Sequence, residues 1–201
     1  EARFKHQDSV QSWLNIIRGM ELSSFYDNLR SGNRTTVFPF SQTELLSALQ
    51  HTFWFMPSIA SCNAMANLLK QKQNKFFHDY EIIVAAGTRA GLGVKALRPV
   101  LTAMGNPIKT KSITLSCGKL TTGVSVKPWS GIFMLRNLTT PETYFQAAFR
   151  VQTPWYMTNP SGNDPNDILN LKPTCYVFDF APSRALSQIM DYSCRLNTDL
   201  I

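Results

Sequence analysis

Acidic side chains are scarce in this sequence. Its 201 residues include 13 Asp and Glu against 20 Lys and Arg, a formal net charge of +7. Acids this thinly scattered offer no evident carboxylate pair for acid–base hydrolysis and no two-metal nuclease signature. Cysteine is sparse too. Cys62, Cys117, Cys175 and Cys194 stand singly, without zinc-ligand spacing, and read as free thiols of a reducing compartment. Long apolar runs are lacking: residues 82–86 and 131–135 are strand-length, well short of the ~20 residues a membrane helix needs. Neither a signal-peptide core nor an initiator Met opens the chain, so the expectation is a cytoplasmic segment of something longer. There is no G-x-x-x-x-G-K-[ST] Walker loop, no H-E-x-x-H and no G-x-S-x-G. With 44% apolar residues the composition also excludes intrinsic disorder.

The basic excess is concentrated. Between Glu81 and Glu142 there is no acidic residue, but Arg89, Lys95, Arg98, Lys109, Lys111, Lys119, Lys127 and Arg136 all occur. That imbalance suits a surface that meets phosphates or nucleic acid; the alternative is that Lys and Arg simply carry solubility there.

Periodicity sets out the elements. Val10, Trp13, Leu14, Ile16, Ile17 and Met20 predict a helix over 10–20 with Ser9 as N-cap. Residues 31–36 read as a loop, and Ser41 opens a short helix with Glu44 completing a capping box. Apolar strands are then predicted over 51–57, 80–86, 111–117, 131–136 and 174–180. Helices are predicted from the Ser58 cap to 72, over about 94–104 with Pro99 as a break or a later start, over 142–151 behind Pro141, and over 183–196, with 153–173 as loop. Apolar strands alternating with amphipathic helices predict a mostly parallel sheet covered on both faces. The expected fold is a three-layer α/β domain over 46–201, preceded by a helical lead-in over 1–45.

Two constellations carry chemistry. Gly87, Gly91 and Gly93 have the spacing of the cofactor loop of short-chain dehydrogenases, which would seat a pyrophosphate at a helix N-terminus. That family's Tyr-x-x-x-Lys is missing, however, and the loop does not follow the first strand. The second runs from Lys111 to Gln152. A strand ends in the turn Thr121-Thr122-Gly123, a strand follows, and a helix then presents Gln146 and Arg150 one turn apart on one face. Hydroxyls, backbone N–H groups, an amide and a guanidinium fit a triphosphate or a nucleic-acid backbone.

These segments resemble the second RecA-like domain of superfamily-two helicases and translocases. Residues 51–69 are similar to motif IV and 115–126, with Thr122-Gly123-Val124, to motif V. Residues 146–153, Gln-Ala-Ala-Phe-Arg-Val-Gln-Thr, resemble motif VI, whose usual form is Q-x-x-G-R-x-x-R. The wording looks most like motor subunits of type I and type III restriction enzymes. The resemblance implies a RecA-like fold and the C-terminal half of an ATP-dependent DNA motor. ATP and Mg²⁺ would be held mainly by an N-terminal RecA-like domain of the same polypeptide, with modification or specificity subunits as further partners. It implies catalytic positions for Arg150 and Gln146, and nucleotide-binding positions for Thr122, Gly123 and Arg136. Lys119, Thr121, Lys127 and Lys95 would meet DNA phosphates without sequence preference. Ser125 replaces the motif V aspartate, Phe149 the motif VI glycine and Thr153 its second arginine. A non-catalytic nucleic-acid-binding module on the same fold is therefore the alternative, and a nucleotide-cofactor oxidoreductase a distant third. Phe53, Trp54 and Phe55 read as core. Trp129 and Trp155 read as packing residues with base stacking as the alternative, and His51 and His78 as surface residues.

Overall fold

The computed structural model describes residues 2–20, 38–87, 94–118, 120, 125–162, 164 and 166–196. Five short segments form its frame: β1 (His51–Phe55), β2 (Glu81–Val84), β3 (Ser112–Ser116), β4 (Gly131–Met134) and β7 (Tyr176–Asp179). Every residue of β1, β3 and β4 is buried, as in strands covered on both faces. The sheet order is β2-β3-β1-β4-β7 and each pairing is parallel. Trp54 at the centre aligns with Leu115 on one side and Phe133 on the other.

The helices are α1 (Gln7–Ile17), α2 (Thr43–Ala48), α3 (Ile59–Leu69), α4 (Val94–Met104), α5 (Pro141–Ala148) and α6 (Pro182–Leu196). Right-handed crossovers distribute them. The step from β1 to β2 runs one way along the sheet and the later steps run the other way, so α3 covers one face and α4 and α5 the opposite one. The alternation of Phe53, Trp54 and Phe55 shows both cores. Trp54 packs with Cys62, Met65 and Leu69 of α3, and with Leu14, Ile17 and Leu45 of α1 and α2. Phe53 and Phe55 share the other core with Val100, Met104, Trp129, Ala147 and Val151. This is the three-layer α/β architecture expected from the sequence. The described part of the lead-in packs onto it: Trp13 meets Trp54 and Phe180 edge-on at 5.7 and 5.2 Å. Gln11 and the buried Asn74 exchange two side-chain hydrogen bonds of 2.8 Å.

Several local expectations change. α1 starts at Gln7 after an N-cap His6 that makes no side-chain cap bond, so Ser9 lies inside the helix. Ser41 donates to the Phe38 carbonyl at 3.0 Å instead of capping α2, which follows Gln42; the capping box does not form. Ser58 does cap α3: its Oγ accepts from Ser61 N–H at 3.1 Å and Ser61 Oγ accepts from Ser58 N–H at 2.9 Å. Residues 153–173, expected as loop, contain an antiparallel hairpin of β5 (Tyr156–Thr158) and β6 (Ile168–Asn170). The expected loop at 31–36 and all but the first residue of the glycine loop at 87–93 lie outside the described residues.

His51 is not a surface residue. It opens the central strand and is 1% exposed. Its Nε2 faces the Pro107 carbonyl at 2.7 Å, which can only accept, so that nitrogen carries the proton. Nδ1 then accepts from Ser112 Oγ at 2.8 Å. Burial lowers the His51 pKa, more than the Pro107 bond raises it, and favours this neutral ring.

Candidate nucleotide and nucleic-acid interface

The carboxyl ends of β1, β3 and β4 converge on one edge. Beyond β1, Met56 and Pro57 lead to the Ser58-capped amino end of α3. Beyond β3, Cys117 is followed by Gly118 at φ +134°, a conformation open to glycine and costly for any side chain. Beyond β4 comes Arg136. Its guanidinium donates from Nη1 to the Cys117 carbonyl at 3.1 Å and lies 5.7 Å from the centre of the Phe55 ring. Arg136 is thus fixed across the exits of three strands.

From Gly118 the chain crosses the sheet to reach β4. Lys119, Thr121, Thr122 and Gly123 lie outside the described residues, but the anchors on either side of the turn are described. Leu120 and Val126 are buried, and both join the core that holds Tyr144, Ala147, Ala148 and Val151. Both anchors therefore share one core with α5 and with the 3-10 turn (Phe149–Val151) that follows it. Pro141 occupies the first turn of α5, where its missing N–H goes unused. With Tyr144, Ala147 and Ala148 facing inward, Gln146 is left exposed and Arg150 half-exposed. Arg150 Nε donates to the backbone carbonyl of Gln146 at 3.0 Å, which holds the guanidinium against the last turn of α5.

Not every expected site residue joins this group. α5 returns the chain toward the amino edge; just past it, Trp155 meets His51 edge-on at 6.4 Å. Arg136 and Arg150 therefore flank α5 at opposite ends, separated by the ~12 Å rise of an eight-residue helix. Lys127 is exposed but precedes β4, at the amino edge, a full strand away from Arg136. Lys95 belongs to the first turn of α4, and its side chain lies outside the described residues.

Two further groups escaped the sequence reading. At the end of β7 the Asp179 carboxylate is buried and pairs with Arg184 Nη2 at 2.5 Å. The Tyr144 hydroxyl lies against it, and burial, then that carboxylate, push Tyr144 up to about 12. Asp179 was visible inside an apolar strand, but nothing periodic tied it to Arg184. At the amino edge Lys172 Nζ donates to the Lys127 and Trp129 carbonyls, both at 2.8 Å. Burial pushes this ammonium down to about 8, more than nearby Cys175 raises it. Lys172 lines a cavity of about 430 Å³ with Glu44, His51, Trp155 and Tyr176.

Chemically, Gln146, Arg150 and Arg136 suit phosphate oxygens. Among the described residues no group of three or more His, Cys, Asp or Glu is placed to hold a metal, so nothing described here fits a Mg²⁺ site. Nor, among the described residues, is any helix long and apolar enough to cross a membrane.

Fold and site together define a parallel three-layer α/β domain with phosphate-suited groups at both ends of one helix. No family model matches the chain. A Mycoplasma pneumoniae protein provisionally named as a type II restriction enzyme and methyltransferase C-terminus is 36% identical to it over 166 residues. The match takes in 80% of this chain and 22% of that protein, so the chain spans about a fifth of its relative's length. The chain is accordingly similar to a protein named for restriction and modification.

Proposed function

We propose that this chain is the second RecA-like half of an ATP-dependent DNA translocase or helicase within a restriction-modification or phage-defence protein. The observation that carries the reading is the shared core of Leu120 and Val126 with Ala147, Ala148 and Val151. That core ties Leu120 and Val126, on either side of residues 121–123 in the chain, to the helix that carries Gln146 and leads to Arg150, in the chain order that motor domains of this kind have. The similarity to a protein named for restriction and modification supports the DNA context.

In this reading ATP and Mg²⁺, held mainly by an N-terminal RecA-like domain of the same polypeptide, supply the hydrolysable phosphoanhydride. Arg150 stabilises charge developing on the transferred phosphoryl group, because a guanidinium offers fixed donors to equatorial oxygens. Gln146, one turn away, orients polar groups beside it. Packed interiors shift as units, so a displacement of α5 is passed through Leu120 and Val126 to the 120–126 loop. At Gly118, just ahead of those residues in the chain, Arg136 and the amino end of α3 present N–H groups and positive charge to DNA phosphates. Such contacts carry no sequence preference. The protein would work in the cytoplasm, with modification or specificity subunits supplying recognition.

The test is ATP hydrolysis by the full-length protein with and without duplex DNA. Turnover stimulated by DNA is expected; turnover indifferent to DNA contradicts the reading. One observation favours a second reading: Thr153 stands where a second arginine would be. A binding module that has lost catalysis would hold DNA, weaken steeply with salt and turn over no ATP.

A further inference from the structure

Two of the four cysteines meet at the carboxyl edge. Cys62 is the fourth residue of α3, one turn beyond the Ser58 cap, and is fully buried. Cys117 directly follows β3 and is partly exposed. α3 packs over β2 and β3. Alternation along β3 aims Ile113, Leu115 and Cys117 at the same face, and both cysteines belong to the core between that face and α3. The packing of α3 over β3 brings both side chains into the one layer between them, and burial first, then the charge and hydrogen bond of Cys117, push the Cys62 thiol up to about 12. Both are free thiols, and the motor reading gives neither of them a task.

A lone buried thiol is inert, but an accessible thiol beside a buried one has the arrangement of an attacking and a resolving cysteine. We propose that Cys117 and Cys62 form a reversible, hydroperoxide-driven disulfide that fastens the loop after β3 to the amino end of α3. Cys117, as thiolate, attacks one peroxide oxygen; the O–O bond breaks, the other oxygen leaves as water, and Cys117 becomes a sulfenic acid. The Cys62 sulfur then attacks the Cys117 sulfur. The S–S bond forms, the S–O bond breaks, and the hydroxyl leaves as a second water with the Cys62 proton. Two thiols are oxidised and one peroxide is reduced. A small-molecule dithiol reverses the bond through a mixed disulfide. The consequence rests on the motor reading: the bond ties Cys117, whose carbonyl seats Arg136, and the adjoining Gly118 to α3 at the edge assigned to DNA, so DNA-stimulated turnover falls.

The full-length protein is treated with hydrogen peroxide, remaining thiols are blocked with N-ethylmaleimide, and a tryptic digest is weighed. The expected product is peptide 35–70 joined to peptide 112–119, two hydrogens lighter than their sum, with Cys175 and Cys194 carrying maleimide. Cys62→Ala and Cys117→Ser each abolish it, and in Cys62→Ala the Cys117 sulfur goes on to a sulfinic acid that dithiothreitol does not reverse. In the unsubstituted protein, DNA-stimulated turnover drops roughly tenfold or more and returns with dithiothreitol. Cys117 recovered as its maleimide adduct, or joined to another cysteine, overturns the proposal. The joined peptide with unchanged DNA stimulation overturns the lock. The joined peptide in a protein that never shows DNA-stimulated turnover keeps the thiol pair and refutes the motor reading instead.

Discussion

Shortening Leu120 to alanine tests whether the turn is anchored to α5. Leu120 is 0% exposed, and Leu120→Ala removes three buried carbons. At ~0.8 kcal/mol per buried carbon the transfer loss alone is about 2.4 kcal/mol. The remaining cavity adds to this, and buried Leu→Ala changes span roughly 2.7–5 kcal/mol. The surrounding side chains can close part of the space, so the expected cost is at the low end, about 3 kcal/mol. Leu186 on α6 is the control: it is 61% exposed, and Leu186→Ala should stay within about 0.5 kcal/mol. Urea unfolding followed by tryptophan fluorescence reads both, since Trp54 and Trp129 are fully buried. If Leu120→Ala costs no more than Leu186→Ala, Leu120 is not seated in the core, and the mechanical link from α5 to the 120–126 loop fails with it.

Lys172 gives a pH signature. Its folded pKa of about 8 lies below the ordinary 10.5, so the unfolded chain binds more protons and stability rises as pH climbs from about 8 toward 10.5. Lys172 is half-exposed, so water screening should limit the gain to about 1–2 kcal/mol, well under the unscreened shift. Urea midpoints at pH 7.5 and 10 should show this rise relative to Lys172→Met; parallel pH profiles would refute it. Gly131 opens β4 with no side chain because Leu49 occupies the space where its Cβ would project. Gly131→Ala should therefore cost about 1–3 kcal/mol by overpacking, read as a lower thermal midpoint. An unchanged midpoint would mean that Leu49 moves aside freely.

Much of the frame was legible because buried parallel strands leave a strong local signal. Apart from His51, the strands His51–Phe55, Ser112–Ser116 and Gly131–Met134 are apolar or small throughout and bounded by proline, glycine or polar turns. α4 was expected over 94–104 and spans Val94–Met104. Helix starts were harder to place. Ser9 and Ser41 have the same side chain as Ser58, but only at Ser58 does the backbone direct it to an open N–H three residues on. The hairpin at 156–170 was hidden by Pro, Gly and Asn between very short strands. His51 was misread because a histidine carries no mark of burial; the Pro107 carbonyl and Ser112 hydroxyl that satisfy it come from 56 and 61 residues away. Within the site, the pairing of Gln146 with Arg150 followed from helical spacing. The seat of Arg136 on the Cys117 carbonyl, and the separation of Lys127 from it, depend on which strands are neighbours and in which direction they run.

The central claim is that Arg150 acts on the phosphoryl group being transferred. In the full-length protein at saturating duplex DNA, Arg150→Ala should lower ATP turnover by roughly a thousandfold or more while leaving DNA affinity little changed. Turnover equal to that of the unsubstituted protein would contradict the account and move the search for the phosphate-stabilising cation to Arg136.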